Sequence, residues 1–190
     1  MPEVNLSIRE IFMSDLRAAG TLPSPENAAL AVAAGAALTL IGAWIFQYGF
    51  GYPPCPLCLE QRYAYYFAVP LGVMLWLGLN YGARRRVLAA GFAALALAFL
   101  WNAGLGAYHS GVEWRFWAGP SDCSGSLGQL GGPGGLLEQL QNTRVVRCDE
   151  AAWRFLGLSL AGYNVLISLA LAALALIGVR GVWHRSDETA

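Results

Sequence analysis

NAALAVAAGAALTLIGAWIF, residues 27–46, runs from end to end without a charge. At roughly the 20 residues that an α-helix needs to cross the hydrocarbon core, it is expected to be a first transmembrane helix. Three further apolar stretches follow, at residues 63–79, 87–108 and 158–179. The second is short and carries Pro70, where a kink is expected. A bilayer offers no water to unpaired backbone groups, so the pattern predicts an all-α integral membrane protein, a four-transmembrane-helix bundle. Small residues should sit where helices touch: Gly35 and Gly42 on the first, Gly91 and Ala94 on the third, Gly162 on the fourth. Asn164 and Ser168, one turn apart, are expected to face the interior.

Composition agrees. Of 190 residues, 56% are hydrophobic and 13% charged, against about 25% charged in a soluble domain. Twelve basic and twelve acidic residues cancel, so nothing argues for nucleic acid as a partner. Residues 1–26 open MPE and stay mixed, so no cleaved signal is expected. Ser7 stands three residues before Glu10, and Ile8, Ile11, Phe12 and Leu16 share a helical face. Residues 7–19 therefore read as an amphipathic helix on the membrane surface, with a frayed tail as the alternative.

Basic residues in short loops tend to stay cytoplasmic. Arg84, Arg85 and Arg86 mark that side, and four crossings put both tails there, including residues 181–190. Loops 47–62 and 109–157 then face the other way, which in a bacterium is the periplasm. All four cysteines fall in these two loops, as persistent disulfides in an oxidising compartment require. The long loop holds six glycines between 125 and 135, a composition that favours turns. Leu136, Leu137 and Leu140 suggest a short surface helix at 136–141. Residues 27–180 form one domain, and a monomer is expected to suffice.

The chemistry centres on PPCPLCLEQR, residues 53–62. Pro56 suits a first helical position and pushes Cys55 out of helical geometry, which makes Cys55 the capping residue. One turn places Cys55 and Cys58 near enough to bond. A helix N-terminus and a nearby arginine both lower a thiol pKa, and Arg62 lies four residues after Cys58. Cys58 is thus the candidate thiolate and Arg62 its counter-ion. A zinc site would need four well-placed ligands, and Cys123 and Cys148 do not repeat the C-x-x-C spacing, so no metal is expected. Covalent haem would need a histidine where Leu59 stands. An inert disulfide across so tiny a loop would contribute little entropy.

Cys123 and Cys148 fit a second pair, open to either structural bracing or thiol exchange with the first. Electrons gained by a thiol pair at a membrane boundary need a lipid-soluble two-electron acceptor, and a quinone meets that need. Arg62 is a candidate to bind its oxygen, and His109 with Glu113 four residues later is another. Tyr63, Tyr65, Tyr66, Trp114 and Trp117 read as an interfacial aromatic belt.

These features resemble the bacterial disulfide bond formation protein B (DsbB) family. The resemblance rests on PCPLC at 54–58 followed by Gln61-Arg62, on the pair Cys123 and Cys148, on YHSGVEW at 108–114 and on CDEAAWRFLGL at 148–158. It runs from about residue 27 to 180. It implies a multi-pass protein of the bacterial inner membrane that reoxidises a periplasmic DsbA-like thioredoxin-fold protein and reduces ubiquinone or menaquinone from the membrane pool. The route from DsbA through DsbB to quinone is established for the family and enters as what the resemblance implies. Carried onto this sequence, Cys123 forms the mixed disulfide with the partner and Cys148 exchanges with Cys55. Cys58 contacts the quinone, and Arg62 helps to hold it. A paralogue serving a dedicated partner and a non-enzymatic scaffold with two structural disulfides are the other readings.

Overall fold

The computed structural model describes residues 23–120 and 147–184. The surface helices expected at 7–19 and 136–141, the glycine-rich stretch, Cys123 and residues 185–190 lie outside the described residues.

Among the described residues four long helices dominate: α1 Pro25–Trp44, α2 Pro56–Asn80, α3 Arg85–Glu113 and α4 Leu160–His184. The start of α1 is set locally. Ser24 Oγ accepts from the Asn27 backbone N–H at 3.3 Å, Pro25 takes a position where its missing N–H costs nothing, and Glu26 meets the positive end of the helix dipole. α1 continues into one π-helical turn, Ile45–Gly49. Gly51, at φ 71°, then turns the chain toward α2.

Several boundaries differ from expectation, and α4 runs on to His184 rather than ending at Val179. α3 does not stop at Tyr108 but runs on through Glu113, because HSGVE contains no proline and the helix cost of Gly111 is offset where its missing side chain lets the Trp117 indole pack against the backbone. α4 begins at Leu160 rather than Leu158. Residues 158 and 159 instead form a strand, β2 Leu158–Ser159, paired antiparallel with β1 Arg154–Phe155. Leu156 and Gly157, both with positive φ, make the tight turn between them.

Neighbouring helices run antiparallel. Near one end Gly78 of α2 abuts Leu88 of α3, Gly181 of α4 abuts Pro25 of α1, and Arg85 lies 4.3 Å over the Trp183 ring. The opposite end gathers the end of α1, the start of α2, the end of α3 and the start of α4. Phe92, Leu95 and Phe99 of α3 are fully buried between these helices. Close approach depends on small residues: a Cβ on Gly72 would lie 2.9 Å from Ala33 Cβ, and one on Gly178 would run into the Phe92 ring. Gly35 and Gly91 pack against Leu171 and Leu75 as expected of contact positions. Gly42 does not, since nothing lies within 4 Å of its Cβ position.

Asn164 and Ser168 do turn inward, into a polar cluster. Tyr65 Oη donates to Asn164 Oδ1 and lies 3.2 Å from Ser168 Oγ, and Asn102 Nδ2 donates to both, at 3.2 and 3.0 Å. Tyr65, only 2% exposed, therefore leaves the expected aromatic belt, because its position on α2 points at α3 and α4.

Among the described residues, three helices are long and apolar enough to cross a membrane: Pro25–Gly49 (α1 with its π turn), Arg85–Glu113 and Leu160–His184. α2 falls short on mean hydropathy because Tyr63, Tyr65, Tyr66 and Pro70 interrupt its apolar run. Outward-facing positions are apolar too, with Trp101 78% exposed, as suits a protein whose surroundings are lipid.

Candidate thiol redox site

Cys55 is the N-cap of α2, extended at φ −75° and ψ 165°, and its Sγ accepts the Cys58 backbone N–H at 3.2 Å. Both are free thiols, Cys55 buried and Cys58 half-buried. The Cys58 thiol is held below the ordinary range, first by a hydrogen bond from the Cys55 side chain and more weakly by the charge of Arg62, while burial pulls the other way. Cys55 moves up, through that same side-chain hydrogen bond and through burial. The backbone N–H aimed at Cys55 Sγ opposes this and is outweighed by the side-chain hydrogen bond and by burial.

Arg62 follows one turn after Cys58 and is anchored by Gln47 of the π turn, donating to its Oε1 at 2.7 Å. The π turn thus orients the guanidinium. His109 arrives from the end of α3. With the Gln61 amide nitrogen donating to Nδ1 at 2.8 Å, the proton of a neutral ring sits on Nε2. That atom lies 3.7 Å from Cys55 Sγ and 3.8 Å from Glu113 Oε1. Glu113 is itself buried, and its Oε2 has no partner among the described residues.

Cys148 is 1% exposed and disulfide-bonded. Its sulfur, Cys55 Sγ and a ring nitrogen of His109 all lie within 4.8 Å of one another. The segment after Cys148 is held by aromatic packing. The Trp153 ring meets Phe46 edge-on at 5.3 Å and stacks on Phe155 at 5.8 Å, while Tyr163 Oη donates to the Phe155 carbonyl at 3.1 Å. Arg154 lies 4.9 Å over Trp114. Leu57 and Val112 close an apolar jacket around Cys55 and Cys148.

Beside the sulfurs a cavity of about 450 Å³ opens among α1, α2 and α4. Gly42, Phe46, Tyr52 and Ile167 supply apolar wall, and Cys58, Gln61, Arg62, His109 and Asn164 bring polar atoms to it. Gly42 is empty of helix neighbours because it faces this space.

The structure therefore brings together Cys55, Cys58, Cys148, Arg62, His109 and Glu113, and Cys123 lies outside the described residues. Reasoning on sequence missed Gln61 and Gln47. Gln61 stood inside the quoted motif without a role, and Gln47 carried no signal beyond being polar at the end of an apolar run.

The model of the family described as "Disulfide bond formation protein DsbB" matches residues 25–178. The chain belongs to the DsbB family. Among curated relatives of this DsbB-family chain, disulfide bond formation protein B of Xanthomonas oryzae pv. oryzae is 32% identical over 68% of this chain and 76% of its own. That of Albidiferax ferrireducens is 27% identical over 84% and 91%. An uncharacterized protein of Rickettsia prowazekii is 27% identical over 70% and 76%. No solved structure matches significantly. DsbB-family membership supports a disulfide-forming oxidoreductase with membrane-spanning helices.

Proposed function

We propose that this chain is a thiol oxidase of the bacterial inner membrane that passes electrons from a periplasmic DsbA-type dithiol to membrane quinone. The observation that carries the reading is the convergence of Cys148, Cys55 and His109 within 4.8 Å beside a cavity lined by Cys58 and Arg62. In this reading α2 crosses the membrane over residues 63–79 as the fourth span. The Arg84–Arg86 turn is cytoplasmic and the sulfur-bearing end periplasmic, at the opposite end of the bundle.

The cavity suits a quinone. Its volume lies within the roughly 300–1,000 Å³ of small-molecule sites, and it pairs apolar walls with a few convergent polar groups. Bound there, a quinone would supply a two-electron acceptor. Arg62, held by Gln47, would bind a ring oxygen, and Cys58 would be the sulfur that meets the quinone, since both line the cavity.

The thiol steps use the chain's own residues. A partner dithiol reduces the disulfide between Cys123 and Cys148, and the partner leaves with a disulfide. Cys148 thiolate then attacks Cys55 in the Cys55–Cys58 disulfide, forming the Cys55–Cys148 bond and expelling Cys58 as thiolate. A low pKa makes Cys58 a good leaving group. Cys123 thiolate attacks Cys148, restores the second pair and expels Cys55 as a thiolate, and His109 Nε2–H, 3.7 Å from that sulfur, is placed to donate a hydrogen bond to it as it leaves.

Trapping tests the relay. A chain with Cys58→Ser and Cys123→Ser keeps only Cys55 and Cys148. Mild oxidation should link them, and non-reducing peptide mass spectrometry should find the bridged pair. Failure to form it under conditions that oxidise free dithiols contradicts the exchange.

A further inference from the structure

We infer that Cys55, His109 and Cys148 become a zinc site when the disulfide at Cys148 is reduced, and that zinc held there arrests thiol exchange. On chain spacing alone no metal site is expected, but the fold brings two sulfurs and an imidazole nitrogen within 4.8 Å of one another. Sulfurs bound at about 2.3 Å on a tetrahedral ion lie about 3.8 Å apart, so the present spacing needs to close by an ångström at most. Cys55 Sγ and His109 Nε2 already stand 3.7 Å apart.

Three further features suit a metal. First, the donors are enclosed, with Cys55 and His109 each 3% exposed and Cys148 1%. Zn²⁺ balanced by two thiolates is neutral overall, which an apolar jacket accommodates far better than free charge. Second, Gln61 holds the other ring nitrogen at 2.8 Å. Rotating its amide by half a turn presents the oxygen to Nδ1–H and leaves Nε2 free to bind, the outer-sphere arrangement usual for metal-bound histidine. Third, a buried polar group adjoins the imidazole: Glu113 Oε1 lies 3.8 Å from His109 Nε2, and its Oε2 is unpartnered among the described residues.

The site is gated by redox state. A disulfide sulfur is a poor zinc ligand, so Cys148 contributes only after a dithiol has donated two electrons and two protons to its disulfide and has itself been oxidised. Zn²⁺ then displaces the protons of the Cys55 and Cys148 thiols without changing oxidation state. Both sulfurs are thereby removed from exchange. The inference stands apart from the quinone reading, because its readout needs only reduced thiols.

The test uses the full-length chain in detergent, reduced with a phosphine, freed of reductant without oxygen and titrated with Co²⁺ as a spectroscopic stand-in. One Co²⁺ per chain should bind with thiolate-to-cobalt and tetrahedral d–d bands, and Zn²⁺ should displace it. The oxidised chain should not develop them, and His109→Ala or Cys148→Ser should weaken binding by at least about tenfold. Because a variant can misfold, Zn²⁺ protection is also read on the natural sequence by alkylation and peptide mass spectrometry. Cys55 and Cys148 should be protected and Cys58 should remain reactive. Absent bands in the reduced chain, undiminished binding in both variants, or protection confined to Cys55 and Cys58 would each overturn the site.

Discussion

The sulfur of Cys148 lies within 4.8 Å of that of Cys55, although one belongs to the segment before α4 and the other caps α2. Nothing local in either stretch demands this. It follows from Trp153 docking on Phe46 and Tyr163, which fixes the segment over the end of α1. Trp153→Ala should therefore loosen that segment and slow oxidation of a protein dithiol more than reduction of quinone by a small dithiol. Steady-state rates with the two donors check the difference.

Replacing Cys148 by serine removes the exchanging sulfur while leaving Cys55 and Cys58 in place. Oxidation of a thioredoxin-fold partner should fall to background. A small dithiol that reaches Cys55 directly should still support quinone reduction. Equal loss with both donors would place Cys148 in folding rather than in exchange.

The thiols should differ in pH response. Cys58 is depressed from the ordinary value of 9.0, so its thiolate persists as pH falls below that value. Cys55 is raised, so it stays protonated as pH climbs past it. Alkylation of the reduced chain near neutral pH should therefore label Cys58 first. Arg62→Gln should shift the Cys58 profile upward by a modest amount, since the Cys55 hydrogen bond rather than Arg62 is the larger cause. Mass spectrometry of pH-resolved labelling reads both.

Gly178 and Gly42 separate packing from open space. A methyl group at Gly178 must displace the fully buried Phe92 ring, and overpacking of this kind costs about 1–3 kcal/mol. At Gly42 nothing lies within 4 Å, and alanine favours a helix over glycine by about 1 kcal/mol. Thermal unfolding in detergent should show a lowered Tm for Gly178→Ala and an unchanged or raised one for Gly42→Ala.

Much of this architecture is legible in the chain. The uncharged run at 27–46 gave α1, and Pro56 set Cys55 as the cap of α2, because both depend on local chemistry. Helix rotation was not legible. These helices are apolar nearly all round, so no polar stripe marks the lipid side, and Tyr65 and Gly42 were assigned to the wrong surroundings. Nor could the pairing of Gln61 with His109, or of Gln47 with Arg62, be read. Each joins two elements whose relative register is decided by packing. The end of α3 was missed because a helix leaving an apolar run for HSGVE loses its hydropathy signal while keeping its backbone hydrogen bonds.

The central claim is that two thiol pairs feed a quinone in the cavity beside Cys58. Its most direct measurement is quinone absorbance in proteoliposomes holding this chain, after addition of a reduced thioredoxin-fold dithiol protein. Quinone should be reduced in a one-to-one ratio with partner dithiol oxidised, and Cys58→Ser should abolish the signal. Partner oxidation without quinone loss, or no reaction with any membrane quinone, would contradict it.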